Sequence, residues 1–478
     1  MKRMIMMRSN ILAILNNSRI ISSFKEPDRL NRIWENSFFY RILNLIINSP
    51  LEWLQKVYAR NENFFLSSIT GKLLSFIAKY FNILIGMILI LTMIIPDHRW
   101  YNLYGVLLTL GLFLMFIIKI IITEEARVDL RNIDFTLIIF FTSIFIAAAT
   151  SLFPRDSINY LIYYFITFLT LVIIVSTINS YEELYNLIKI ILIGVVLTAL
   201  YGAYQWLVVG VEVNPSLTDL SINQGMGGRV YSTMGNPNIY GELLVLTLPF
   251  FGPVVLNEKS FVKKGFWALL MLPVLVILLK TGSRSAWVSF AFAVFVFVFF
   301  WNKKYIPYLI LLGLLALPFL PSSIYRRFLT IFNPNDSSLQ YRQRILGSAF
   351  LMLKDYWVTG VGLGNRVFSV IYQRYKSLGL TTVAHTHNLY VQMWLEAGVM
   401  ALLSFLYMLI RLIKHTFVST RLNKDKRLNN ILIAALAGIL GLCVMGFADH
   451  IWFYNRMLYM FWINVAIILA TLKLINRK

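Results

Sequence analysis

Apolar runs of about 20 residues recur along this chain, and a run of that length crosses a hydrocarbon core of about 30 Å as a helix. This leaves few possible folds. In lipid the backbone has to satisfy its own hydrogen bonds, so the runs are expected to be helices. Composition agrees: hydrophobic residues make up 58% and charged residues 14%, against roughly 45–50% and 25% in soluble proteins. The 478 residues carry 44 Lys and Arg and 22 Asp and Glu, a formal net charge of +22. Such an excess often points to nucleic acid, but this chain is too apolar for a soluble DNA binder. A disordered chain, a disulfide scaffold and a cytosolic nucleotide-binding enzyme are excluded on the same ground. The single cysteine, Cys443, sits inside an apolar run and reads as a small buried hydrophobe.

The fold class is therefore all-α, a polytopic membrane protein with about 12 transmembrane helices. The spans are predicted near 73–96, 101–123, 134–153, 158–178, 187–210, 238–257, 265–281, 284–301, 305–321, 388–412, 430–448 and 454–474. Four regions follow. Residues 1–72 are a cytoplasmic amphipathic segment, with stretches such as Phe38–Ile47 expected on the anionic leaflet. Residues 73–321 hold spans one to nine, 322–387 form a large extracytoplasmic loop, and 388–478 hold spans ten to twelve. The apolar stretch Ile11–Leu15 is too short for a cleaved secretory signal, so the first true span is expected to serve as an uncleaved one. With the N-terminus inside, fifteen cations fall in short inner connections and the C-terminal tail, against Arg99, Arg155, Arg229 and Arg284 in short outer segments. That bias places both termini in the cytoplasm.

Four polar features fall on the predicted outer face. The first is RVYSTMGNPNIYGE, Arg229–Glu242. Asn236-Pro237 signals a turn, Asn238 is a cap for the following span, and Glu242 shares a helix face with Asn238. The ordinary reading is a capped helix. The functional reading is a polar cavity, because an acid one turn into a span is costly unless paired or wet. The second is the hairpin Thr281–Ser285, TGSRS. Arg284 there either snorkels to lipid phosphate or is a fixed cation held by a short turn.

The third feature is the loop 322–387, with eight cations against Asp336 and Asp355. Within it, Asp336–Trp357 reads as an amphipathic helix in which Ile345, Leu346, Ala349, Met352, Leu353 and Tyr356 form an apolar stripe. Arg342 falls on the stripe and is expected to point inward, where a guanidinium needs an anionic partner. Arg344 lies on the opposite side. The GVGLGN stretch that follows is read as a turn where backbone passes close to backbone. The fourth feature is HTHNLYVQMWLEAG, His385–Gly398. Asn388, Gln392 and Glu396 make one polar stripe about 12 Å long, which serves either as interhelical glue or as part of a site. His387 stands at its mouth, suited to accept a proton near neutral pH. His385 and His387 have no third ligand nearby in sequence, so metal binding is not expected. His98, His415 and His450 read as ordinary boundary residues.

In this order, STMGNPNIYGELL, TGSRSAW, YRQRILGSAFLMLKDYWVTGVGLGN and HTHNLYVQMWLEAG resemble the O-antigen ligase / O-antigen polymerase family of integral membrane glycosyltransferases. The resemblance covers about 229–400 and not residues 1–72. It implies catalytic roles for His387, Arg284 and Arg342, with Asn388 and Glu396 matching the family's Asn and Glu. Arg229, Asn238, Glu242, Arg344 and His385 complete the candidate substrate-binding set. Trp357 stands where the family has Pro, and Leu346 where it has Trp. Between Arg342 and Arg344, the stripe alone favours Arg342.

The resemblance also implies a glycan donor on undecaprenyl diphosphate at the bacterial cytoplasmic membrane, with no metal, cofactor or nucleotide sugar. Ligation to a glycan, lipid or protein acceptor and polymerisation of repeat units stay open alternatives. A transporter of lipid-linked glycans is the competing class, but it should keep its ionisable groups near mid-membrane. An anchor whose outer loop binds anionic polymer is a third.

Overall fold

A computed structural model describes residues 29–214, 227–316, 318, 322–330, 333, 336–376 and 383–477. Among these residues there are helices and no strand, as the all-α reading expects. Residues 1–28 of the amphipathic segment lie outside the described residues.

Among the described residues nine helices are long and apolar enough to cross a membrane, or ten if Ile69–Lys79 and Phe81–Ile94, which meet at 72°, form one span. The twelve expected spans are thus not the number found among the described residues, and the difference has three sources. The 73–96 span is that bent pair. The 134–153 span is Phe135–Ala149, a helix of only 15 residues. The spans near 284–301 and 305–321 merge into one helical run, Arg284–Ala316.

That run is nevertheless not straight. Asn302 has extended backbone (φ −166°, ψ 101°), and its side chain accepts a hydrogen bond from Lys304 N–H. A straight run would be roughly 50 Å long at 1.5 Å per residue. The chain could not then return by Thr330, whose backbone oxygen lies 3.0 Å from Arg284 Nη1.

Burial separates a central group of helices from a rim. Lys426–Met445 and Asn455–Asn476 are 89% and 94% buried, whereas Asn102–Ile122 and Phe261–Lys280 are 22% buried and present apolar faces outward. Close packing at the centre follows from small residues. Ala434, Ala435, Ala437, Gly438 and Gly441 line the Lys426–Met445 helix, and a Cβ on Gly441 would come within 2.8 Å of Ala293 Cβ. Polar side chains link some of these helices: the Thr109 and Thr170 hydroxyls donate to Tyr459 Oη at 3.2 and 3.1 Å. Cys443 is buried and free, as expected.

The Phe38–Arg60 helix exposes Phe38, Phe39, Leu45, Ile46 and Trp53 and buries Asn48 and Leu51. It is pinned to the 123–128 connection, where Asn48 Nδ2 donates to Val128 O and Gln55 Nε2 to Ala126 O.

The long helix Leu389–Leu422 is broken at Gly398 (φ 76°, ψ 177°). Its freed backbone groups are paired by the glycine-rich turn, as a break at membrane depth requires. Val361 N–H donates to Leu395 O, Gly362 N–H to Glu396 O, and Val399 N–H to Trp357 O. Gly360 (φ 73°) has to be a glycine, because a Cβ there would sit 2.6 Å from the Glu396 carbonyl. The close backbone passage read from GVGLGN is this contact.

Candidate active site

One end of the helices encloses a cavity of about 860 Å³ lined by residues from five separate stretches of chain. Arg229 precedes the Pro237–Thr247 helix. Its Nε donates to Thr281 O at 2.8 Å and its Nη2 to Asn238 Oδ1. The N-cap of that helix is Asn236, whose side chain accepts from Asn238 N–H, with Pro237 at the first helical position. The cap therefore lies two residues earlier than expected, which leaves Asn238 free to orient Arg229. Glu242 is buried one turn further on and lines the same cavity.

Arg284 opens its helix beyond the TGSRS turn. It pairs with Asp336 Oδ2 at 2.8 Å and also donates to both oxygens of Thr330. Asp336 has two jobs, since its other oxygen caps the Ser337–Tyr356 helix by accepting from Leu339 N–H. Arg327 reaches the Gly282 carbonyl at 3.4 Å.

In the Ser337–Tyr356 helix Ile345, Ala349, Met352 and Leu353 of the expected stripe are buried together with Ser348, while Leu346 and Tyr356 are half-buried. Arg342 stands at its edge and lines the cavity, with no hydrogen bond or ion pair among the described residues. Arg344 is exposed and does not line it.

Four guanidinium groups thus surround one space. Burial and the charges of Arg327, Arg284 and Arg342 push the Arg229 guanidinium down to about 9. Burial and Arg284 push Arg327 down to about 10. Burial pushes the Asp336 carboxyl up, but its bond to Arg284 outweighs this and holds it below the usual carboxylate range. The cavity is electrostatically strained in a way that an anionic ligand would relieve.

The same cavity is lined by His385 and His387. His387 has φ 52°, the left-handed region, where a residue other than glycine is strained. Its Nδ1 lies 3.2 Å from Asp449 Oδ1. Asp449 Oδ1 also accepts from His450 N–H. Burial pushes the Asp449 carboxyl up, but the His387 hydrogen bond and the Arg342 charge hold it well below the usual range. An ionised Asp449 accepting from Nδ1–H favours the tautomer in which Nε2 of a neutral His387 carries the lone pair. His385 Nδ1 accepts from His387 N–H at 3.2 Å. Burial and the neighbouring His387 push His385 down to about 3, so it is neutral at neutral pH.

His385, His387 and Asp449 place ligand atoms within 4.8 Å of one another, the one such group among the described residues. The carboxylate that the sequence did not place beside His-Thr-His is therefore present. The Nδ1 atoms of both histidines are engaged within the cluster itself.

Other sequence candidates are placed elsewhere. Asn388 caps its helix, its Oδ1 accepting from Tyr390 and Val391 N–H. Gln392 Nε2 donates to Glu396 Oε1 at 2.8 Å, and Gln392 Oε1 accepts from Thr386 N–H. Asn388 and Glu396 do not line the cavity, so the polar stripe supports the helix break and the His387 turn. Three lining residues were missed. His450 read as an ordinary boundary residue, yet it lies buried in the cavity wall, 5.8 Å from the His385 ring. Asp449 and Arg327 carried no local motif, although the predicted topology put both on the same face. His415 also has a partner, its Nε2 lying 3.3 Å from Arg411 Nη2 in a buried cluster with Asp134.

Residues 268–406 match the family model described as O-antigen ligase. Over this segment the chain is similar to the O-antigen ligase family. A curated O-antigen ligase from Salmonella typhimurium (strain LT2) is 25% identical over 194 residues, covering 36% of this chain and 46% of that protein. The match thus spans less than half the length of that relative. The O-antigen ligase segment contains Arg284, Arg327, Arg342 and His387, whereas Arg229 and Asp449 enter the same cavity from outside it.

Proposed function

We propose that the protein is a membrane glycosyltransferase that moves a glycan from an undecaprenyl-diphosphate carrier to an acceptor hydroxyl, with inversion and without a metal. The observation that carries this reading is one cavity that holds both a guanidinium cluster and a His387–Asp449 dyad. His387 Nε2 takes the proton of the acceptor hydroxyl. The freed oxygen pair attacks the anomeric carbon as the carbon–oxygen bond to the diphosphate breaks. Charge develops on the departing diphosphate, and Arg229, Arg284, Arg327 and Arg342 stabilise it from fixed positions. Asp449 acts through His387 by holding its tautomer and orientation.

In the same reading the protein lies in the bacterial cytoplasmic membrane with both termini inside and the cavity on the outer face. The exposed apolar rim admits the carrier's tail sideways from the bilayer. Ligation to a lipid, glycan or protein acceptor is preferred to polymerisation only through the O-antigen ligase likeness.

The test is transfer by purified protein from a lipid-diphosphate-linked glycan. Arg284→Ala and Arg342→Ala are each expected to lower kcat by about 10²–10³, as loss of an oxyanion-stabilising donor does. Wild-type rates in both variants contradict the proposal.

A further inference from the structure

A second polar groove lies at the same end of the molecule and is not used by the chemistry above. It has a volume of about 460 Å³ and shares Phe453 and Tyr454 with the catalytic cavity. The shared wall is tied to the dyad, since the Phe453 ring lies 4.4 Å from the His385 ring. Four chain segments meet there: the 95–101 connection and the first turns of the helices starting at Pro154, Asn365 and Asn455.

The chemistry of this groove differs from that of the catalytic cavity. Its two arginines are already neutralised, Arg456 by Asp97 at 2.8 Å and Arg366 by Asp156 at 3.2 Å. A phosphate would find no uncompensated cation. What the groove offers instead is aromatic surface and planar hydrogen-bonding groups. Trp100, Tyr160 and Tyr163 line it, with Tyr160 and Tyr163 set edge to face at 84°. Asn102, Asn159 and Asn365 add amides at its exposed rim. Trp100 Nε1 and Asn455 Oδ1 are a buried donor and a buried acceptor with no partner among the described residues.

A sugar ring presents an apolar C–H face together with hydroxyls that donate and accept. Aromatic planes cover the first. Amides and carboxylate–guanidinium pairs answer the second without net charge. A lipid tail would leave these polar groups unmatched. The volume falls within the range of about 300–1,000 Å³ of small-ligand sites.

We propose that this groove binds a saccharide segment of a substrate and guides it past Phe453 and Tyr454 into the catalytic cavity. The proposal rests on the glycosyl-transfer reading above for its biological setting. The saccharide comes from the donor's glycan or from the acceptor, and the experiment separates the two.

The full chain is reconstituted in nanodiscs as wild type, Asn159→Ala and Tyr163→Ala, with equal thermal midpoints as the folding control. Carrier-free oligosaccharides, released by mild acid from the host cell's own lipid-linked glycan, serve as the binding probe. Transfer is measured in parallel with donor and acceptor varied independently. Oligosaccharide affinity is expected to fall about ten-fold per variant, the factor for about 1.4 kcal/mol of lost contact. The KM of one substrate should rise with it while kcat stays within about two-fold, as loss of uniform binding predicts. A rise confined to the donor KM assigns the groove to the donor glycan, and one confined to the acceptor KM assigns it to the acceptor. Unchanged affinity and unchanged KM values in both variants overturn the inference even where the wild type transfers glycan. Oligosaccharide binding that the variants weaken, in a protein that transfers nothing, upholds the groove and overturns the catalytic reading.

Discussion

At the scale of single residues, the account turns on how side chains far apart in sequence define one another's state. In the proposed mechanism His387 acts as a base because Asp449, 62 positions later, holds Nδ1. Asp449→Asn keeps the size but presents an amide that can donate to Nδ1 and so favours the wrong tautomer. It is expected to lower kcat by about 10²–10⁴ with little change in KM, the scale of lost general-base catalysis, measured by transfer kinetics. The same pair sets a pH dependence of stability. The folded Asp449 carboxyl lies well below its usual range, so its contribution is fully present above about pH 4, near the unfolded value. That contribution is lost as pH falls toward the folded value. The difference in thermal midpoint between wild type and Asp449→Asn should therefore shrink as pH falls below about pH 4. His387 and Arg342 were legible in the sequence, the first as a proton acceptor at a span's mouth and the second by its place on an apolar stripe. Asp449 was not, because a lone acid after a span looks like any boundary residue until the fold closes.

At the scale of elements, the glycine-rich turn and the broken helix form one structural unit. The turn at 360–364 lends the Leu389–Leu422 helix the hydrogen bonds that its break at Gly398 forfeits. Gly360→Ala places a methyl against the Glu396 carbonyl at a positive φ. It is expected to cost about 1–3 kcal/mol, the usual cost of such strain, and to lower the thermal midpoint. Because the break sits ten residues beyond the Asn388 cap, transfer should fall as well. Helices were legible in the sequence because each apolar run had to pair its own backbone. Span number was legible less well. Hydropathy does not register a 72° bend near Tyr80, nor does it tell a 15-residue apolar helix from a longer one that crosses.

At the scale of the whole molecule, the +22 charge divides between the two ends. One end gathers four arginines around a cavity, and their mutual repulsion raises the cost of the folded state. An anion that occupies the cavity should therefore stabilise the protein. Millimolar pyrophosphate is expected to raise the thermal midpoint of wild type, and Arg229→Gln should show a smaller rise. An equal rise in both would remove the cavity from the explanation. Orientation is tested on the exposed Arg344. Arg344→Cys should react with a membrane-impermeant thiol reagent from the outer side, against a background in which the only native cysteine is buried. Labelling from the cytoplasmic side would invert the topology. The common face of the four motifs was legible from the alternation of spans. The groove beside Phe453 was not, because its walls come from segments that carry no motif of their own.

The most direct test of the central claim is the transfer rate of His387→Ala. The protein is purified, supplied with a lipid-diphosphate-linked glycan and its acceptor, and assayed beside wild type under saturating substrate. The account predicts a kcat lowered by about 10²–10⁴, with donor binding preserved by the arginine cluster. Transfer at the wild-type rate would contradict it.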